Sequence, residues 1–247
     1  MPHGAIRSEF PAPAAPRPGP GTPVGQRAHR RLSVNIGRRG AARERWLLLG
    51  VTAAALSISG VRPTDRLTWI LEVAPVLIAL PLLIMTHSRF PLTSLSYRLI
   101  FAHAMLLIVG AHYTFSRVPI GAWLQETFGF ARNHYDRIVH FVGGLAPSIL
   151  AREILLRKTP LRPGRWLFLL VALSCLAGGA VYELLEWAAA LFTGGEASAV
   201  LATQGDVWDT QWDLLLGLIG ACVGQLLLGR RHQSELDVAG LMDPLPD

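Results

Sequence analysis

Long apolar runs separated by short charged segments are the feature that most limits this chain. They fall at about residues 46–61, 67–86, 97–116, 135–156, 166–192 and 212–229. A helix needs roughly 20 apolar residues to cross a hydrocarbon core ~30 Å thick. Within lipid, only helices and closed barrels satisfy their own backbone groups. The runs therefore predict an all-α polytopic membrane protein, a bundle of about six transmembrane helices. Composition agrees, with 51% of residues hydrophobic and 16% charged, against ~25% charged in soluble domains. The first run has only sixteen residues between Arg45 and Arg62, roughly 24 Å of helix. Snorkelling arginines at its two ends make up the difference. Pro75, Pro81 and Pro147 lie inside runs, where membrane helices accept them if neighbours satisfy the freed carbonyls.

Residues 1–45 contain PAPAAPRPGPGTP followed by arginine-rich sequence, with almost no large apolar side chain. They are expected to form a disordered basic Pro/Ala/Arg-rich cytoplasmic tail, dispensable for folding and insertion. The positive region is too long for a secretory signal, and no clear cleavage site follows the first apolar run. Residues 46–230 are then the six-span domain and 231–247 a short cytoplasmic tail. Of the net charge of +6, the first 45 residues supply +7, nine arginines against Glu9 and Glu44, which leaves −1 for the rest. That distribution suits contact of the tail with anionic lipid headgroups and argues against nucleic acid as a partner. Membrane lipid is the expected partner of the remainder. Cys175 and Cys222 fall inside spans and read as small packing residues.

Arginines in short loops set the orientation. The tail, Arg89, the group Arg157, Lys158, Arg162 and Arg165, and the pair Arg230 and Arg231 share one side if there are six spans. The loop 193–211 has no basic residue and is expected outside. Both termini are then cytoplasmic.

Orientation gives the charges a common depth. Asp136 and His140 are four apart at the start of the fourth run, on a face that continues through Gly144, Pro147 and Ala151. Glu183 and Glu186 lie in YELLEW, and the Glu183 face leads back through Gly179, Cys175 and Ala172. Asp206, Asp209, Trp212 and Asp213 lie in QGDVWDTQWD, and the Asp213 face continues through Gly217, Gly220 and Gly224. Small residues mark faces that meet other helices, so these acids are expected to point inward and to gather near the outer boundary. An ionisable group in hydrocarbon costs roughly 2.5–3.5 kcal/mol on insertion scales, so such groups serve a function or a partner. Asp136, His140, Glu183 and Asp213 are the candidate catalytic or metal-ligating group. Glu186, Asp206, Asp209 and Trp212 are candidate substrate contacts. Carboxylates with one imidazole suit a divalent ion such as Mg²⁺, Mn²⁺ or Zn²⁺, and equally suit general acid–base chemistry. The bland alternative is a structural knot in which Asp136 pairs with Arg132 or Arg137. His112 and Tyr113 are further candidates, and His103 with Glu72 reads as a separate buried pair. HExxH, GxSxG and P-loop patterns are all missing from the sequence.

HYDRIVHF, YELLEW and QGDVWDTQWD, in that order, resemble the YjdF-type inner-membrane proteins, a bacterial family of unknown function. The resemblance covers about residues 46–230 and implies an integral membrane protein of the cell envelope. The segment Asp136-Arg137-Ile138-Val139-His140-Phe141, with Glu183 and with Asp213 before Gly220 and Gly224, is more distantly similar to VanZ-like membrane proteins. Some of those are associated with glycopeptide resistance. The chain departs from their pattern at Glu186, where they often have Gln, and at Gly217, where they often have Asn. Two functional classes follow. One is a protein that binds or processes a lipid-linked or cell-wall precursor. The other is a small proton-coupled transporter using the same carboxylates.

Overall fold

The computed structural model describes residues 24–193 and 203–241, with side chains over 40–192 and 203–241. Among the described residues seven α-helices occur: α1 (Val24–Ser59), α2 (Arg66–Thr86), α3 (Ser94–Tyr113), α4 (Pro119–Phe128), α5 (Tyr135–Lys158), α6 (Arg165–Thr193) and α7 (Asp209–Ala239). The chain divides into two units, Met1–Ala42 and Arg43–Asp247. The bundle belongs to the second.

The helices end where their sequences tell them to. Asp65 caps α2 by accepting from the Thr68 N–H at 2.7 Å, and Thr93 caps α3 through Ser96 N at 3.3 Å. Pro119 opens α4, and Gly129 at φ 67° closes it in the left-handed region. In α5, Asp136 lies in the first turn and Arg157 and Lys158 in the last, charges that complement the helix dipole at both ends. Gly240 at φ 61° ends α7.

Among the described residues five helices are long and apolar enough to cross a membrane: α2, α3, α5, α6 and α7. The first apolar run differs from the expected span. It is the last part of a longer helix, follows Arg43, Glu44 and Arg45 directly, and stops at Ser59. It nevertheless joins the bundle, with Leu49 and Thr52 buried and Ala55 and Leu56 against the core. The backbone is already helical from Val24, inside the stretch read as an unstructured tail, and residues 1–23 of that stretch lie outside the described residues. At the other end, α7 continues to Ala239 through what reads as a terminal tail. Its burial of His232 and Leu236 is the reason.

α5 is the central helix. On one side it meets a cluster that includes Val76, Leu107, Phe115 and Tyr135; on the other, Leu156 joins Leu167, Val171 and Leu236. Lipid-facing positions carry the exposed apolar side chains, for example Ile70, Ile78 and Met85 on α2, as expected where the solvent is hydrocarbon. α5 and α7 approach most closely. A Cβ on Gly144 would fall on the Gly217 carbonyl, and one on Gly220 on the Phe141 carbonyl. Only glycine permits this separation, and it sets the register of the two helices that carry Asp136, His140 and Asp213.

Candidate functional site

The first turn of α5 is anchored before any charge is placed. Asn133 accepts from the Tyr135 N–H at 3.0 Å and donates to the Val118 carbonyl at 3.1 Å. Gln204 exchanges two 2.9 Å hydrogen bonds with the Asn133 backbone. The Tyr135 hydroxyl donates to Leu106 O at 2.9 Å. These bonds tie the α4–α5 connection, α3 and the segment before α7 to one point.

On that frame the four acid and imidazole groups come together. His140 Nε2 lies 3.5 Å from Asp136 Oδ1 and 3.6 Å from Glu183 Oε1. Thr210 donates to the other Glu183 oxygen at 2.9 Å. Asp136, His140 and Asp213 each offer a ligand atom within 4.8 Å of the other two. Separations of 3.5–3.6 Å exceed good hydrogen-bond lengths, so these are close approaches of polar groups and not short hydrogen bonds. Asp213 Oδ1 and Glu183 Oε1 are buried with no hydrogen-bond partner among the described residues. An unmatched buried acceptor costs about 1–3 kcal/mol and more when charged, so a cation or proton between them is the natural complement. Below lies a cavity of about 220 Å³, walled by Gly143, Gly144, Gly178, Gly179 and Gly217 together with Tyr182. Glu186 lies within electrostatic reach of Asp136, Glu183 and Asp213.

The other acids of QGDVWDTQWD have different partners. Asp209 is buried against Arg132, and Asp206 pairs with Arg137 and, at 3.5 Å, with Arg132. Arg137 also lies over the Trp212 ring, 5.6 Å from its centre. Asp206, Asp209 and Trp212, read from the sequence as substrate contacts, thus clamp the start of α7 to the start of α5. The arginines that the knot reading gives to Asp136 are engaged here. The Trp208 N–H, then Arg137 and Arg132, hold the Asp206 carboxyl below its ordinary range. A carboxylate whose pKa is lowered on folding stabilises above its unfolded value and loses that contribution as pH falls through the folded one. The clamp is therefore expected to hold unchanged from pH 7 to 5 and to loosen only below about pH 4. Protease cleavage between 203 and 208 as a function of pH measures this, and loosening at pH 6 would contradict it.

His112 and Tyr113 do not join the group. His112 Nδ1 bonds the Ser59 carbonyl at 2.9 Å, and its ring meets Tyr113 edge-on at 4.8 Å. His103 and Glu72, expected to be a separate pair, are drawn toward the site instead. His103 lines the same cavity as His140 and Asp213. Glu72 accepts from Phe115 N at 3.5 Å, within electrostatic reach of Asp136 and Glu186. Trp187, Trp208 and Trp212 are 46–62% exposed, as an interfacial aromatic belt would be.

A second polar group, unread in the sequence, occupies the opposite end of α5. Glu153 is fully buried and accepts from Thr93 N at 3.0 Å, Thr93 Oγ1 at 2.9 Å, Ser96 Oγ at 2.6 Å, Arg157 at 2.8 Å and His232 at 3.2 Å. Arg152 lies 2.7 Å from His232 Nδ1. A guanidinium only donates, so Nδ1 accepts and the proton rests on Nε2, directed at Glu153. The spacing Glu153 to Arg157 is one helical turn and was the available signal. His232 gave none, because it stands beyond the apolar run.

Buried charge at both ends of a bundle with an apolar lipid-facing surface defines a polytopic helical membrane protein with an internal polar site. Residues 44–234 match the family described as "Predicted membrane protein (DUF2238)". The chain is 44% identical over 200 residues to "Inner membrane protein YjdF" of Escherichia coli (strain K12), covering 79% of this chain and 96% of that protein. The chain belongs to this family of membrane proteins. No solved structure matches it. Neither match speaks to the more distant VanZ-like resemblance.

Proposed function

We propose that this is a multi-pass protein of the bacterial inner membrane that holds a divalent cation with Asp136, His140 and Asp213. Glu183 stands beside it as a fourth ligand or a proton carrier. Through this outward-facing site the protein binds or processes a lipid-linked or cell-wall precursor. One observation carries the reading: three ligand atoms from α5 and α7 lie within 4.8 Å of one another, beside the unpartnered Asp213 Oδ1. Two carboxylates and an imidazole suit Mn²⁺, Mg²⁺ or Zn²⁺. A bound cation would neutralise the buried acids and polarise a phosphate or carbonyl oxygen. The carrier alternative has less support. Transporters commonly bind at interrupted helices near mid-bilayer, whereas α2 and α5 run unbroken through Pro75, Pro81 and Pro147.

The test is Mn²⁺ binding to purified protein in detergent, followed by electron paramagnetic resonance. Asp213→Asn keeps the volume and removes one charged ligand. Its affinity should fall at least tenfold while its elution volume and melting temperature stay near the wild type. Undiminished binding would remove the cation site. A variant that chiefly loses stability would mark a structural knot, with a partner charge left unpaired. Both termini are proposed to be cytoplasmic. A C-terminal reporter active only after export should therefore stay silent, and activity would reverse the topology.

A further inference from the structure

Two cavities lie side by side inside the bundle. The site cavity of about 220 Å³ is one. The other, about 540 Å³, is walled almost wholly by carbon, with Leu49 from α1, Ala79 from α2, Ile100 and Phe101 from α3, and Leu150 and Ile154 from α5. Pro75, His103 and Leu107 line both. The two cavities are therefore neighbours, with His103 in the wall they share.

Length and chemistry say what fits. Along α5 the two linings extend from His140 in the site cavity to Lys158 in the apolar groove. The eighteen residue steps between them make roughly 27 Å of helix, most of a ~30 Å hydrocarbon core. Leu82 on the rim is 52% exposed, so the groove is open to hydrocarbon. A chain with its head at Asp213 that filled the groove would pass the bilayer midplane, farther than an acyl chain confined to one leaflet.

We infer that the protein takes a long single-chain lipid of the polyprenyl phosphate class, its phosphate at the site and its chain running past His103 into the apolar groove. The inference rests on the proposed cation site, because the carboxylates alone would repel a phosphate. The cation supplies the charge complement, and the neighbouring apolar groove supplies the chain site.

The experiment is native mass spectrometry of the full-length protein with Mn²⁺ and undecaprenyl phosphate, compared with farnesyl phosphate and dipalmitoyl phosphatidic acid. Mn²⁺ binding is measured in parallel. Ala79→Trp and Leu150→Trp each fill the groove away from the carboxylates, and both positions are half-buried. At least tenfold weaker undecaprenyl phosphate binding with Mn²⁺ binding retained is expected for each, and Asp213→Asn should lose both ligands. In the unaltered protein, a photoreactive polyprenyl phosphate should crosslink to α2 or α5 beside Ala79 or Leu150. Crosslinks confined to residues outside the two cavities overturn the inference without relying on a variant that must fold. Equal binding of the short or two-chain lipid overturns it too. Wild-type protein that binds Mn²⁺ but no undecaprenyl phosphate overturns the lipid assignment and leaves the cation site standing. Protein that binds no Mn²⁺ overturns the cation site, and the inference with it.

Discussion

Glu153→Ala is expected to cost the protein most of its folded state. The carboxylate is fully buried and is the shared acceptor for Thr93, Ser96, Arg157 and His232. Removing one partner of a buried ionic group typically costs about 3–5 kcal/mol, because the other charge stays behind unpaired. The α3 cap weakens with it, since Thr93 both caps α3 and donates to Glu153. Glu153→Gln keeps one acceptor oxygen for Thr93 and Ser96 but lacks the charge that faces Arg157. It should fall between alanine and wild type. Thermal unfolding in detergent, read by tryptophan fluorescence and by retention on size exclusion, orders the three proteins. An unchanged melting temperature for the alanine variant would show that the network stabilises nothing.

Gly220→Ala should damage stability and the site together. The added Cβ would fall on the Phe141 carbonyl oxygen, with Phe141 C at 2.9 Å and Leu145 N at 3.0 Å. All three atoms are backbone, so α5 and α7 can relieve the clash only by separating. Overpacking of this kind typically costs about 1–3 kcal/mol. The same separation draws Asp213 away from Asp136 and His140, so Mn²⁺ affinity should drop more than tenfold. Gly178→Ala is the control, because a Cβ there meets nothing within 4 Å. Its stability should stay within about 0.5 kcal/mol of wild type. Equal behaviour of the two variants would mean that the α5–α7 contact does not set the ligand geometry.

Some of this was legible in the sequence. The apolar runs marked α2, α3, α5, α6 and α7, because lipid leaves a chain no cheaper way to satisfy its backbone. The helical period put Asp136 with His140, and Asp213 with Gly217, Gly220 and Gly224, on faces of small residues. The structure turns those faces toward each other. Where the helices stop was less visible. α7 outruns its apolar segment because His232 and Leu236 are buried by other helices, and a hydropathy pattern does not record a partner.

The sequence by itself determined which residues face inward, since a 3.6-residue period and the cost of charge in hydrocarbon act within each helix. Only the tertiary structure decided which charge meets which. Asp206, Asp209 and Asp213 stand within eight residues of one another, yet Arg132 and Arg137 engage the first two, while Asp213 turns toward Asp136 and His140. Glu153 and His232 meet across 79 residues of chain. Such pairings depend on the register between helices, and that register is set where the glycines of α7 rest on the backbone of α5.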